Sequence, residues 1–197
     1  MILRDIAASM RHLRAGRAAV AASAAGVQPH AAAPTDTMVQ SFTYVPATGT
    51  TVNFRGGSKV ILPAMAICEP KSAGYGAGTW ERACSVATNP ITFTVRAWAT
   101  SAGNTQVTVS PDVRFVPGKI ASVYLPATNG SPTTLPVIQW CTATMTQCVD
   151  EGASDPSMVT LFDAKTKLAY RRIKHFSGYN VGVGRGASAA ARQETQK

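Results

Sequence analysis

The sequence is short of the residues that most enzymes use for chemistry. It has three histidines among 197 residues, and only 15% of its residues are charged. His12 and His30 lie in an Ala-rich stretch near the N-terminus, so His175 is the one histidine in the body of the chain. A zinc site needs three or four ligands. We therefore predict no catalytic residue, no cofactor and no metal site.

Long apolar runs are also missing. A membrane-spanning helix needs about 20 strongly apolar residues, whereas the apolar run Ala18–Val27 is short and rich in alanine. Arginines precede this run, and an A-x-A-like stretch follows it at 30–33, which is the pattern of a signal peptide. We predict that residues 1–37 are a leader, either a signal peptide or a flexible arm. An amphipathic helix on a membrane surface remains an alternative.

Positive charge is concentrated at the two ends of the chain. The formal net charge is +9, yet seven basic and seven acidic residues balance each other between Met38 and Asp163. A folded nucleic-acid reader needs a basic face to neutralise phosphates, so this neutral body argues against nucleic acid as a partner. Residues 184–197, which include Arg185, are predicted to form a flexible basic tail that contacts a protein or an anionic membrane surface.

The four cysteines form two local pairs, Cys68 with Cys84 and Cys141 with Cys148. Neither pair has the short gap that structural zinc usually uses, so the spacing favours two disulfides over a zinc site. Disulfides persist in oxidising compartments. The chain is therefore expected to be periplasmic or extracellular, with a peripheral membrane location as a further possibility.

Short alternating segments dominate residues 38–183 and predict one antiparallel β-sandwich with long loops. Ile91–Ala99 has the clearest alternation, and Pro63 suggests an edge strand or a bulge. The predicted strands are Val39–Val45, Thr50–Arg55, Lys59–Ala66, Ile91–Ala99, Gln106–Ser110, Val113–Val116, Ser122–Leu125, Val137–Thr142, Met158–Phe162, Lys167–Ile173 and Tyr179–Val183.

Four of these segments carry a family resemblance: VILPA near residue 60, ITFTVRAW, VSPDVRFVPGK and the closing run IKHFSGYNV. Together they resemble the bacterial secreted ZU5-like domains over roughly residues 44–181. The chain departs from that pattern at Ala64-Met65 and in the insertion Cys68–Cys84. The resemblance implies an immunoglobulin-like β-sandwich that acts through protein contacts, and fold analogy alone names no partner.

Two groups of residues invite a chemical interpretation. His175 and Ser177 share a strand, which could supply a base and a hydroxyl, but a closing strand in which Gly178 permits a bulge is the simpler interpretation. The acidic loop with Asp150, Glu151 and Asp155 lacks the spacing of a calcium-binding loop, so we predict a solvated loop.

The candidate partner contacts are aromatic and basic. Aromatic side chains are frequent anchors at interfaces, and the run YRRIK places basic side chains on both faces of a strand. For Trp98, both an exposed position and burial against a second apolar layer remain open. The predicted contacts are Tyr75, Trp80, Trp98, Arg171, Arg172, Lys174 and Arg185.

The sequence thus predicts a non-catalytic, exported interaction protein. The leading hypothesis is an accessory scaffold subunit of a bacterial envelope or membrane-associated complex, for instance a photosynthetic reaction-centre complex. A surface adhesin or carbohydrate-binding module, with Tyr75, Trp80 and Trp98 as stacking platforms, is the first alternative. A hydrolase with His175 as its base is the second.

Overall fold

The computed structural model describes residues 36–71, 74–100, 103–142, 145 and 147–183. The helical segments in this part of the chain are single 3-10 turns. Its strands are β1 (Met38–Tyr44), β2 (Thr50–Asn53), β3 (Lys59–Leu62), β4 (Ile91–Ala99), β5 (Thr105–Arg114), β6 (Ala121–Pro126), β7 (Pro136–Cys141), β8 (Cys148–Val149), β9 (Leu161–Asp163), β10 (Leu168–Ile173) and β11 (His175–Val183). Most of the predicted leader and the whole predicted tail, with Arg185, lie outside the described residues.

The strands form two antiparallel sheets. One has the order β1-β4-β5-β11-β7-β8, and the other has the order β2-β3-β6-β10-β9. A shared apolar core is packed from both sheets. The predicted all-β sandwich is therefore confirmed, while the immunoglobulin-like strand arrangement stays a prediction.

Alternation along the strands turns apolar side chains into the core. In β4, Phe93, Val95 and Ala97 are completely buried, whereas Thr92 and Arg96 on the opposite face are exposed. The rings of Phe93 and Phe115 each meet the ring of Phe176 edge-on, at centroid distances of 5.3 and 5.1 Å. Full burial of such a side chain stabilises the fold by about 1.5–3 kcal/mol.

The first strand is tied to the second sheet through Tyr44. Its hydroxyl donates to the carbonyl of Pro63 at 3.0 Å and accepts from the amide of Ala66 at 2.9 Å. Gly49 allows the turn after β1 to pass close to the end of β3, because its φ is +68° and an added Cβ would lie 2.4 Å from the carbonyl oxygen of Leu62.

Three predicted strand features were wrong. β3 lies inside its sheet between β2 and β6, and Pro63 follows the strand, so it marks neither an edge strand nor a bulge. The two segments predicted on either side of Pro111 form the single strand β5. β11 begins at His175 and not at Tyr179, because His175 and Phe176 pair with the end of β5.

The predicted cysteine pairs are confirmed as the disulfides Cys68–Cys84 and Cys141–Cys148. The second closes the hairpin of β7 and β8. Gly178 lies under this hairpin: an added Cβ would lie 2.7 Å from the sulfur of Met145. The register of β11 against β5 shifts between Phe176 and Gly178, as the bulge interpretation predicted.

Candidate functional site

The most unusual region of the described structure is a group of polar side chains around the buried His175 and Glu151, which we call the His175 cluster. Nε2 of His175 lies 2.7 Å from Oε1 of Glu151, and the other carboxylate oxygen of Glu151 is ion-paired with Arg171. His175 is 0% exposed and Arg171 is 1% exposed. The members of the cluster are Tyr75, Glu151, Arg171, His175 and Tyr179.

Three parts of the chain deliver the charged groups of the cluster. Alternation in β10 turns Arg171 and Ile173 inward and Arg172 outward. The next strand opens with His175, and Glu151 begins a 3-10 turn whose preceding residue, Asp150, accepts a hydrogen bond from the amide of Gly152 at 3.0 Å. One strand from each sheet and this turn therefore meet at one buried carboxylate.

Aromatic rings enclose the imidazole of His175. Trp80 stacks on it with ring centroids 4.1 Å apart and planes inclined by 18°. Tyr75 and Trp140 meet it edge-on, at 5.8 and 5.6 Å, and Tyr179 lies 6.2 Å away. Burial by these rings removes the imidazole from water and strengthens its electrostatic contacts.

Both nitrogens of His175 have partners. Nδ1 lies 3.2 Å from the hydroxyl of Tyr75, which also donates to the carbonyl of Phe176 at 2.8 Å. The Tyr179 hydroxyl donates to the carbonyl of His175 itself. Because Nε2 faces Glu151, neither nitrogen is left to take a proton from Ser177, whose hydroxyl accepts from the indole nitrogen of Trp140.

The cluster holds Glu151 in its ionised form. Burial alone raises the pKa of a carboxyl group, yet the hydrogen bonds and charges of His175 and Arg171 outweigh burial and lower the pKa of Glu151 below its usual value. Burial raises the pKa values of the Tyr75 and Tyr179 hydroxyls, so both stay protonated as donors. Burial also raises the pKa of Asp112.

The loop that covers His175 is held by hydrogen bonds from Arg114. Arg114 is 2% exposed and donates to the carbonyls of Thr79, Arg82 and Ala83 at 2.7, 2.6 and 3.2 Å. The Cys68–Cys84 disulfide closes the same loop. Arg114 therefore holds the segment that positions Trp80 over the imidazole.

Four of the predicted partner contacts are at least partly exposed. Tyr75 is 40% exposed, Trp80 is half-buried and Arg172 is exposed, so all three present surface. Lys174 is half-buried and ion-paired with Glu81 and Asp155.

Two of the predicted contacts, Arg171 and Trp98, have buried side chains. Arg171 points inward to Glu151, and its guanidinium also donates to the carbonyl of Ile138 at 2.9 Å. Trp98 is only 7% exposed and packs on the outer face of its sheet against Cys141 and Met145. A partner cannot reach either side chain without displacing its covering.

The acidic loop is not the solvated loop that the sequence predicted. Glu151 is buried, and Asp150 and Asp155 cap the 3-10 turns at Glu151–Ala153 and Pro156–Met158. Within the residues that the structure describes, no three His, Cys, Asp or Glu side chains are grouped to hold a metal ion.

Sequence reasoning missed the contacts that build the cluster. Glu151 was treated as one of several acids in a loop, and Arg171 as a basic residue on a strand edge. The one available signal was the alternation in YRRIK, which places Arg171 on the same face as Ile173. An arginine on an apolar face needs a buried acid, because a desolvated charge is rarely left unpaired.

Over the described ranges, no helix is both long enough and apolar enough to cross a membrane. No protein-family model, no curated protein and no solved structure matches this chain.

Proposed function

We propose that this domain acts by binding another protein and not by catalysis. The observation that supports this proposal most directly is that the groups with catalytic potential are occupied by each other. His175 is engaged at both nitrogens, Glu151 is bound by two cations or donors, and the hydroxyl of Ser177 is bound by Trp140. A general base has to reach the proton that it removes from a substrate.

The role of the His175 cluster is to hold a surface in place. Its contacts connect β10, β11 and the turn at Glu151 with the loop between Cys68 and Cys84. Lys174 adds a second connection, because it joins Glu81 of that loop to Asp155. A rigid surface loses little conformational entropy when a partner binds it.

This surface has the composition of a protein-binding site. The half-exposed ring of Tyr75 and the half-buried ring of Trp80 are fixed against His175, and Arg172 lies exposed on β10, a strand of the other sheet. Tyrosine, tryptophan and arginine are the residues most often found at the energetic centres of interfaces. We therefore propose that Tyr75, Trp80 and Arg172 contact the partner.

The partner belongs, in this proposal, to a bacterial envelope or membrane-associated complex in which the domain is an accessory scaffold subunit. The two disulfides are compatible with an oxidising compartment. Basic and acidic residues balance between Met38 and Asp163, which disfavours nucleic acid as a partner of that part of the sandwich.

The test is photo-crosslinking in the native cell. A photo-reactive amino acid replaces Arg172 on the outer face of β10, and a matched variant replaces Arg96, which is exposed on the other sheet. We expect the Arg172 variant to form an adduct with one envelope protein that the Arg96 variant does not label. Absence of any adduct at position 172 would count against the proposal.

The carbohydrate-binding alternative is supported by the same exposed Tyr75 ring. It predicts hits on a glycan array that disappear in the Tyr75→Ala protein. Under the scaffold proposal, the array stays empty while the Arg172 adduct forms.

A further inference from the structure

The four sheet edges of the described sandwich differ in length. β8 has two residues, β9 has three and β2 has four, whereas β1 has seven. An edge strand exposes unpaired backbone amides and carbonyls, and proteins usually limit this exposure by keeping edge strands short. Within the part of the chain that the structure describes, β1 pairs with β4 alone.

The long edge also lacks the usual protection by charge. β1 reads MVQSFTY, without a charged residue or a proline, and its register against β4 runs without a bulge from Met38 to Tyr44. Val39 is 58% exposed. Lysine, proline and bulges are the devices that normally prevent edge-to-edge pairing. β1 therefore has the properties of a strand that accepts another strand.

The two faces of β1 are suited to different contacts. On the outer face, Ser41 and Thr43 are hydroxyl-bonded across the sheet to Thr94 and Thr92, each at 3.3 Å. On the inner face, Met38 and Phe42 pack against the core but remain only partly buried. An added strand would extend the hydroxyl rows outside and cover the remaining apolar surface inside.

We propose that two copies of this chain associate by antiparallel pairing of their β1 strands about Ser41. In this register Met38 faces Tyr44, Val39 faces Thr43, and Ser41 faces Ser41 of the second copy. Such a two-fold pairing is isologous, which is the commonest form of protein dimer.

A second copy is the occupant that the strand itself indicates. Symmetric pairing places every residue against one of the same strand, and the absence of charge means that no like charges face each other. The nearest charge before the strand, Asp36, is ion-paired with Arg55 of the same copy, with Oδ2 and Nη2 2.5 Å apart. This association does not depend on the scaffold role proposed above.

The experiment is sedimentation equilibrium on the full chain with both disulfides formed. We expect a concentration-dependent dimer. Ser41→Lys should weaken dimerisation by about ten-fold or more, because it places two like charges opposite each other at the symmetry axis. Thr92→Lys is the matched control, since Thr92 is exposed on the same face but one strand further in, and it should change the dimer constant little.

A charge-reversed pair tests the register itself. Ser41→Lys and Ser41→Glu proteins should each be weakened alone and should associate when mixed, because opposite charges then meet at the axis. A monomer at every accessible concentration would overturn the inference. So would a dimer that Ser41→Lys weakens no more than Thr92→Lys does, or one that mixing fails to restore.

Discussion

The apolar core and the charged groups of the His175 cluster are both buried but are built on different principles. The core around Phe93 and Phe176 is made of interchangeable contacts, so a lost methylene group changes its energy in small steps. The cluster depends on a few specific partners, and each of its charges is tolerated only because another compensates it. Removal of one partner should therefore cost far more than the contact itself contributes.

The sharpest way to test this contrast is to remove the shared carboxylate. Glu151→Ala leaves Arg171 buried without its anion, so we expect a loss of about 3–5 kcal/mol in the free energy of unfolding. Denaturant titration followed by tryptophan fluorescence measures this loss. Glu81→Ala is the control, because its exposed ion pair with Lys174 should contribute about 1 kcal/mol or less. Equal losses in the two variants would contradict the contrast.

The loop over His175 provides the next comparison. Replacement of Cys68 and Cys84 by serine opens a loop with a sequence separation of 16 residues, and we expect a loss of about 3 kcal/mol. Trp80 should also lose its packing on His175, which shifts its fluorescence to longer wavelength. Replacement of Cys141 and Cys148, whose separation is 7, is the matched control and should leave the environment of Trp80 unchanged.

A conservative substitution in the apolar core should cost less free energy of unfolding than removal of Glu151. Ile138 is completely buried in the core, and Ile138→Val should cost about 0.5–1.5 kcal/mol in the free energy of unfolding. Thermal unfolding monitored by circular dichroism measures this change. A loss as large as that of Glu151→Ala would show that the core is not made of graded contacts.

The pH dependence of stability sharpens the comparison further. The folded pKa of Glu151 is lowered, so its contribution is present above the ordinary value of 4.5 and is lost as pH falls through the folded pKa. Partial desolvation raises the pKa of Asp112, so its ionisation opposes folding at neutral pH. The effect is small because Asp112 is largely exposed and solvent screens its charge.

Two measurements between neutral pH and about pH 3 separate these groups. Wild-type protein should lose stability as pH falls. Asp112→Asn should be slightly more stable than wild type at neutral pH and should therefore show a steeper decline. A loss of stability in Asp112→Asn at neutral pH would contradict the assigned direction.

The parts of the fold that depend on local sequence patterns could be predicted. Alternation in Ile91–Ala99 defined β4 to the residue, and cysteine spacing gave both disulfides. The continuous strand β5 could not be read from the sequence, because the proline within it resembles a break. Its position is set by pairing with β4 and β11.

The His175 cluster lay beyond such local reasoning. Glu151 is 20 residues from Arg171 and 24 from His175, and Tyr75 is 100 residues from His175. Contacts at these separations depend on how the strands order themselves in the sheets, and no local pattern encodes that order. The sequence showed which residues were present but not that they meet.

The central claim is that the His175 cluster supports a binding surface and performs no chemistry. The most direct test replaces Glu151 by Leu, Arg171 by Met and His175 by Phe in one chain, since a buried ion network can often be exchanged for apolar residues of similar volume. The amount of crosslinked partner recovered through position 172 is then compared with that of the wild-type cluster. The account predicts a folded triple variant that retains the partner; a folded variant that loses it would contradict the claim.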